Sequence, residues 1–228
     1  GLEAGRVLAA DQSGKLHVLD ASTGASVEQM SGWAPLARSH QGNKLAWIGE
    51  SGQSVEILDR DAATKRASIP VAIDLSGEEA ELDIVSMALS PSGDTVAVGT
   101  GDGRLVLIDT RGRRISRQRV ISESVLWSLA FSPDGKQIAV GGSDSFVRVI
   151  GASQLEDVAF LSGHWNTVFS LDFSPDGATL VSAGRDGVMR FWNTGAWQET
   201  MALSRHAADL DPGVRVVAFD ETGDRLYS

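Results

Sequence analysis

Three four-residue blocks in this 228-residue chain superimpose without a gap: Ser90-Pro91-Ser92-Gly93, Ser132-Pro133-Asp134-Gly135 and Ser174-Pro175-Asp176-Gly177. Their glycines are 42 residues apart (135 − 93 and 177 − 135), and a further copy, Asp220-Glu221-Thr222-Gly223, follows 46 residues on (223 − 177). A fixed period in the 40s with a turn motif in every copy restricts the chain to a repeat architecture. One unit therefore has to be explained before any single residue.

The copy that opens at Thr167 is the most complete. Apolar residues alternate with small or polar ones through 167–173, 179–183, 188–192 and 198–203, the period of a strand and not of a helix. Between the first two runs, serine offers a hydroxyl to the backbone, proline presets φ and glycine accepts the left-handed conformation that closes a hairpin. Arg185-Asp186-Gly187 makes the second tight turn in the same way. Each unit thus reads as a four-stranded antiparallel meander, strands a to d. Such a meander buries its apolar residues only by stacking on its neighbours, and radial stacking gives a β-propeller. No segment carries a helical stripe, so the expected class is all-β.

At this point the residues resemble a known family. Gly163-His164 before strand a, Ser182 in strand b, Asp186 in the b–c hairpin and Trp192 at the end of strand c are similar to the structural tetrad of WD-repeat (WD40) propellers. The family's closing Trp-Asp pair stands here as Trp192-Asn193. The resemblance implies a hydrogen-bonded chain joining indole, hydroxyl, imidazole and carboxylate, with His206 and Ser228 as the corresponding histidine and serine of the last unit. Other copies depart from the pattern together. The tryptophan position holds Leu19, Leu58, Ile108 or Ile150, and beside the last two the serine position is Val98 or Val140. Replacing all the partners by apolar groups can be nearly neutral, so these units are expected to stand without the network.

With this template the chain is a single propeller region: a partial blade at 1–30, blades at about 33–72, 84–121, 125–162 and 167–204, and a partial blade at 213–228. A seven-bladed ring would need roughly 300 residues at this period, so the expectation is a partial ring from a longer reading frame. A competing count pairs the last strand a with the opening strands and closes five blades.

Composition narrows the partners. The net charge is −10 and the pI about 4.8. The one basic cluster, Arg111, Arg113, Arg114, Arg117 and Arg119, falls on a c–d turn and outer strand, where charge solvates an edge. Nucleic acid is not expected as a partner, nor is a membrane, since no apolar run reaches spanning length. The complete ring is expected to be monomeric and cytoplasmic. With no cysteine there is no thiolate site. No metal or cofactor is expected. The acidic stretch from Ile73 to Asp83, with Glu78, Glu79 and Glu81, reads as a solvated d–a insertion or as an acidic lip for a basic peptide.

No catalytic constellation is expected. His17 sits in a strand c, His40 in a turn, and His164 and His206 in tetrad positions. Ser182, His164 and Asp186 resemble a hydrolase triad on paper, but the family resemblance buries them between strands. Gly99 to Gly103 is a hairpin and not a phosphate loop.

Stepping back eight residues from each turn glycine gives Ala34, Val85, Trp127, Phe169 and Arg215, which the resemblance places at the mouth of the central channel. Gly101, Ser143 and Arg185 precede the hairpin acids there. Trp127, Phe169, Arg185 and Arg215 are thus the candidate partner-binding rim, of the residue types enriched at interface hot spots; the alternative is that both aromatics pack between blades. The expected function is a non-enzymatic scaffold that binds a protein or peptide. Alternatively, the matched Ser-Pro-Asp-Gly copies are similar to bacterial family members, in which propellers are often appended to signalling enzymes such as serine/threonine protein kinases. A propeller hydrolase or lactonase is a further, weaker alternative.

Overall fold

The computed structural model describes residues 6–10, 15–20, 22–38, 44–49, 54–59, 71–74, 83–204 and 213–228, and every regular element among them is a strand. Six of them, β1 (Arg6–Ala10), β2 (Lys15–Asp20), β3 (Ser26–Arg38), β4 (Lys44–Ile48), β5 (Ser54–Asp59) and β6 (Val71–Asp74), form one antiparallel sheet in chain order. Three four-stranded sheets follow. The first holds β7 (Ile84–Leu89), β8 (Thr95–Thr100), β9 (Arg104–Asp109) and β10 (Arg114–Val120). The second holds β11 (Leu126–Phe131), β12 (Gln137–Gly142), β13 (Val147–Gly151) and β14 (Asp157–Leu161). The third holds β15 (Val168–Phe173), β16 (Thr179–Gly184), β17 (Met189–Asn193) and β18 (Gln198–Leu203). A two-stranded sheet, β19 (Ala218–Phe219) with β20 (Leu226–Tyr227), completes the described chain.

The first sheet differs from the sequence expectation of two separate units. β3 runs strand d of one unit straight into strand a of the next, pairing β2 over Ser26 to Trp33 and β4 from Trp33 onward. Only Ser31-Gly32 separates the two expected strands, too short a link to carry the chain from the outer edge of one sheet to the inner edge of another. The later connections have residues 121–125 and 162–167 for that crossing. β6 also continues to Asp74, so the acidic connection begins after it and not at Ile73; residues 75–82 lie outside the described residues. Five-blade closure is not what the strands form. β20 pairs with β19, and the opening strands belong to the six-stranded sheet.

The core lies between sheets, as stacking requires. Alternate residues of one strand point into two different interfaces. Val96, Val98, Val106 and Ile108 pack back against Ala46, Ile48, Val55 and Ile57, while Ala97, Leu105 and Leu107 pack forward against Leu126, Ile138 and Ile150. The same exchange joins the second and third four-stranded sheets through Val149, Leu161, Leu180 and Trp192. Met189 and Val181 meet Val214 and Val217 beyond. Each four-stranded sheet is thus packed on both faces.

The repeated turns have a second role that local propensity does not reveal. Gly93, Gly135, Gly177 and Gly223 all take positive φ, 72°, 72°, 73° and 80°, and serine hydroxyls accept the backbone N–H of Thr95, Gln137 and Thr179 at 3.0, 3.0 and 2.9 Å. Gly135, Gly177 and Gly223 also lie against the proline of the preceding turn, and Gly93 lies against Lys44. A Cβ on Gly135, Gly177 or Gly223 would stand 3.4, 3.6 or 3.2 Å from Cδ of Pro91, Pro133 or Pro175. The prolines and glycines form a staircase from sheet to sheet, each step a small dispersion contact.

Candidate functional site

One end of strand a is built the same way in each four-stranded sheet. The register jumps between Ile84 and Ser86, between Leu126 and Ser128, and between Val168 and Ser170, so Val85, Trp127 and Phe169 are each the extra residue of a β-bulge. A bulge bends its strand and re-aims the side chain. Alongside, the N–H groups of Gly101, Ser143 and Arg185 donate to the carbonyls of Asp83, Val125 and Thr167 at 2.9, 3.0 and 2.8 Å. These bonds tie every b–c hairpin to the entry of its own strand a.

On this frame the side chains form a row across adjacent sheets. Trp127, 43% exposed, donates its indole N–H to Ser143 Oγ at 2.7 Å. Its ring meets Phe169 edge to face, centroids 6.2 Å apart at 81°, and the Arg215 guanidinium lies 5.6 Å from the Phe169 centroid. Edge-to-face and cation–π contacts of this kind contribute about 0.5–1.5 kcal/mol each. Arg185 is exposed on the neighbouring hairpin, and the Val214 N–H donates to the Gly184 carbonyl at 2.9 Å, joining the segments that carry the two arginines. Trp165, 70% exposed, escaped the sequence reading. Its backbone N–H donates to Asp186 at 3.3 Å, which puts it on the same end of the sheet. The available signal was a large aromatic in a connection where small polar residues suffice.

The third four-stranded sheet also holds a buried network. Trp192 Nε1–H donates to Ser182 Oγ at 2.9 Å, Ser182 Oγ stands 2.8 Å from His164 Nε2, and His164 Nδ1 stands 2.7 Å from Asp186 Oδ2. The one direction that satisfies every atom runs indole to hydroxyl to imidazole to carboxylate. Burial alone would raise the Asp186 carboxyl; the His164 hydrogen bond, with the N–H groups of Val188 and Trp165, outweighs it and holds the group below the ordinary carboxylate range. The distances within Ser182, His164 and Asp186 suit a hydrolase triad. Yet Ser182 is 0% exposed and its oxygen already accepts from the buried Trp192 indole, so this serine is not presented for attack on a substrate.

The preceding sheet solves the same position differently. Ser122, 42 residues before His164, donates to Asp144 at 2.7 Å, and Arg148 pairs with the same carboxylate at 2.7 Å. Val140 and Ile150 fill the serine and tryptophan places, 1% and 0% exposed. One sheet earlier, Asp102 accepts from Thr100 and from Arg104 Nε, the latter at 2.8 Å. Of the remaining tetrad positions, His206 lies outside the described residues and Ser228 is exposed past β20. His40 also lies outside them, and His17 Nδ1 stands 3.3 Å from Ser26 Oγ in the first sheet, away from this site. The arginine cluster sits on the outer edge, where Arg111 pairs with Asp94 at 3.0 Å and Arg119 reaches Asp157 of the next sheet at 2.7 Å.

Comparison with known proteins follows this geometry. A family model described as WD domain, G-beta repeat matches residues 71–109, 117–150 and 155–193. The chain carries WD40 repeats. A WD40 match does not coincide with a sheet. Each spans the outer strand of one sheet and three strands of the next, β6–β9, β10–β13 and β14–β17, so every WD40 repeat ties two blades together covalently. Among solved structures, a chain in "Crystal Structure of Mitotic Checkpoint Complex" matches with a TM-score of 0.66 at 20% identity, covering 81% of this chain and 52% of that one. The chain therefore spans about half the length of that one, and at this identity the likeness shows the fold alone. Comparison with curated proteins finds no match. WD40 propellers as a class are protein-interaction scaffolds, generally without enzymatic activity.

Proposed function

We propose that this chain is a non-enzymatic interaction module that holds a protein or peptide on its rim, with Trp127, Phe169, Arg185 and Arg215 as the contact residues. The supporting observation is the unbroken row from Ser143 through Trp127 and Phe169 to Arg215, assembled from three consecutive units by contacts that fix each rotamer. Aromatics and arginines held rigid before binding lose little entropy on contact, which is how a few residues come to dominate an interface. In the outer arginine cluster, Arg111 and Arg119 are instead engaged in intramolecular ion pairs at an edge.

The test compares partners retained by the chain with those retained by W127A/R215A, quantified by mass spectrometry, with Arg117→Ala on the outer edge as a control. The expected outcome is a loss of about tenfold or more in affinity for the double variant and none for the control. Partners that bind both proteins equally would sink the rim reading.

A further inference from the structure

We infer that a cavity between the first and second four-stranded sheets binds a small aromatic monocarboxylate, with its ring on Phe131 and its carboxylate on Arg117. The cavity lies by the a–b turns, at the opposite end of strand a from the rim, and does not depend on the rim reading.

The cavity holds about 480 Å³, within the range of sites that enclose small ligands. Leu107, Phe131 and Ala152 give it an apolar lining, and Ser92, Ser116 and Ser153 add hydroxyl groups. Two charged side chains also line it, Arg117 from β10 and Asp134 from the a–b turn of the next sheet.

The repeat explains why this space is open. Between the second and third four-stranded sheets the same place is closed by a tryptophan. Trp197 meets Phe173 edge to face, centroids 6.5 Å apart, and packs with Ala159 against one cluster. Phe131, Leu155 and Arg117 stand 42 residues before Phe173, Trp197 and Ala159 (173 − 131, 197 − 155 and 159 − 117). Leu155 repeats the backbone of Trp197, with φ of 58° against 51°, but its side chain is too short to cover the ring. Phe173 is 6% exposed, whereas Phe131 stays half-buried and lines the cavity. The vacant place is that of an indole, and a planar aromatic ring restores the edge-to-face contact.

Charge supplies the second half of the ligand. Arg111 and Arg119 are paired with Asp94 and Asp157, while Arg117 is exposed with no hydrogen-bond or ion-pair partner among the described residues. An arginine so placed offers a planar fork of N–H donors that receives a carboxylate through two parallel bonds. Asp134 is committed to its own turn. It accepts the Ser132 hydroxyl at 2.6 Å and the Lys136 N–H at 3.0 Å, and the Lys136 ammonium stands 3.5 Å away. Its negative charge on the same cavity disfavours a dianion such as a phosphate monoester, which leaves a ligand of single charge.

The experiment titrates the 1–228 chain with indole-3-acetate and with the uncharged indole-3-acetamide, followed through backbone amide shifts by heteronuclear NMR. Indole-3-acetate is expected to shift Ser92, Ser116 and Ser153 and to bind about tenfold or more tightly than the amide. Arg117→Gln should bring the two ligands to equal affinity without changing that of the amide. Leu155→Trp should abolish binding of both, and Trp127→Ala should bind both as the wild type does. No shift at about 5 mM acid, equal affinity for acid and amide, a preference that survives Arg117→Gln, or binding lost in Trp127→Ala would each overturn the inference. A Leu155→Trp protein that keeps its strands by circular dichroism and still binds would overturn it too. If that variant does not fold, the comparison of acid and amide on Arg117→Gln decides.

Discussion

Ser182 is the most constrained residue in the molecule: its one oxygen receives the Trp192 indole and gives its proton to His164. Replacing it by alanine would leave two buried donors or acceptors unpaired, at roughly 1–3 kcal/mol each. Ser182→Ala is therefore expected to lower stability by about 2–4 kcal/mol, read from chemical denaturation. The neighbouring sheet supplies the comparison, because Ser122, Val140 and Ile150 occupy the same positions without orphans. Transplanting that set as H164S/S182V/W192I is expected to cost less than the sum of the three single changes. A strictly additive result would mean that the network does not act as a unit. The tetrad was legible in the sequence because its spacing survives. Its alternative in the neighbouring sheet was legible only as an apolar substitution, since the Ser122 contact to Asp144 joins residues 22 apart that no local pattern relates.

At the scale of the element, the hairpins between strands b and c repeat with one exception. Gly103 and Gly187 take φ of 84° and 73°, and Ser145 takes 67° at the equivalent place. An L-residue in that region is strained by about 1 kcal/mol or more, and the Ser145 hydroxyl bond to the Asp144 carbonyl offsets part of this. Ser145→Gly is expected to raise stability by about 0.5–1 kcal/mol, read as a higher denaturation midpoint at unchanged slope. Gly103→Ala should do the opposite and more strongly, because a Cβ there collides with the Ser122 carbonyl. A neutral or destabilising Ser145→Gly would show that this hairpin holds no strain. The strands themselves followed from alternation and turn chemistry, residue by residue. β3 did not, because Ser31-Gly32 interrupts the pattern and reads as a break between two strands, and only the distance to be spanned decides whether one strand or two form there.

For the whole molecule, acid is the lever that reaches many sites at once. Asp102, Asp134, Asp144, Asp176 and Asp186 are each held below the ordinary carboxylate range by hydroxyl, N–H or guanidinium partners, in Asp144 and Asp186 against a burial effect that raises them. With folded values below unfolded ones, the unfolded chain binds more protons as pH falls. The stability these groups contribute is fully present above the unfolded values, near pH 4, and is lost as pH falls through the folded ones. Melting temperature should thus change little from pH 7 to 5 and drop below about pH 4. Asp186→Asn should lower it at pH 7 while making the acid slope shallower. A melting temperature that rises on acidification would contradict this, and would mean that relief of the −10 net charge outweighs the lost pairs.

The sequence by itself determined the repeat, its period, the strand class, the turns and the tetrad, because these depend on interactions within a unit, where spacing along the chain stands in for distance. It also aligned Val85, Trp127 and Phe169 as equivalent positions, since strand a of each four-stranded sheet carries the same bulge and a fixed offset therefore lands on equivalent residues. Tertiary structure decided what lies between units. Pro91 meets Gly135, Trp127 meets Phe169, and Arg215 settles over Phe169, contacts that span more than 40 residues and depend on how one sheet is stacked on the next. Period and pattern carry no information about that stacking. It is set by the shapes of the side chains that fill the space between two sheets, and only the packed molecule brings those shapes together.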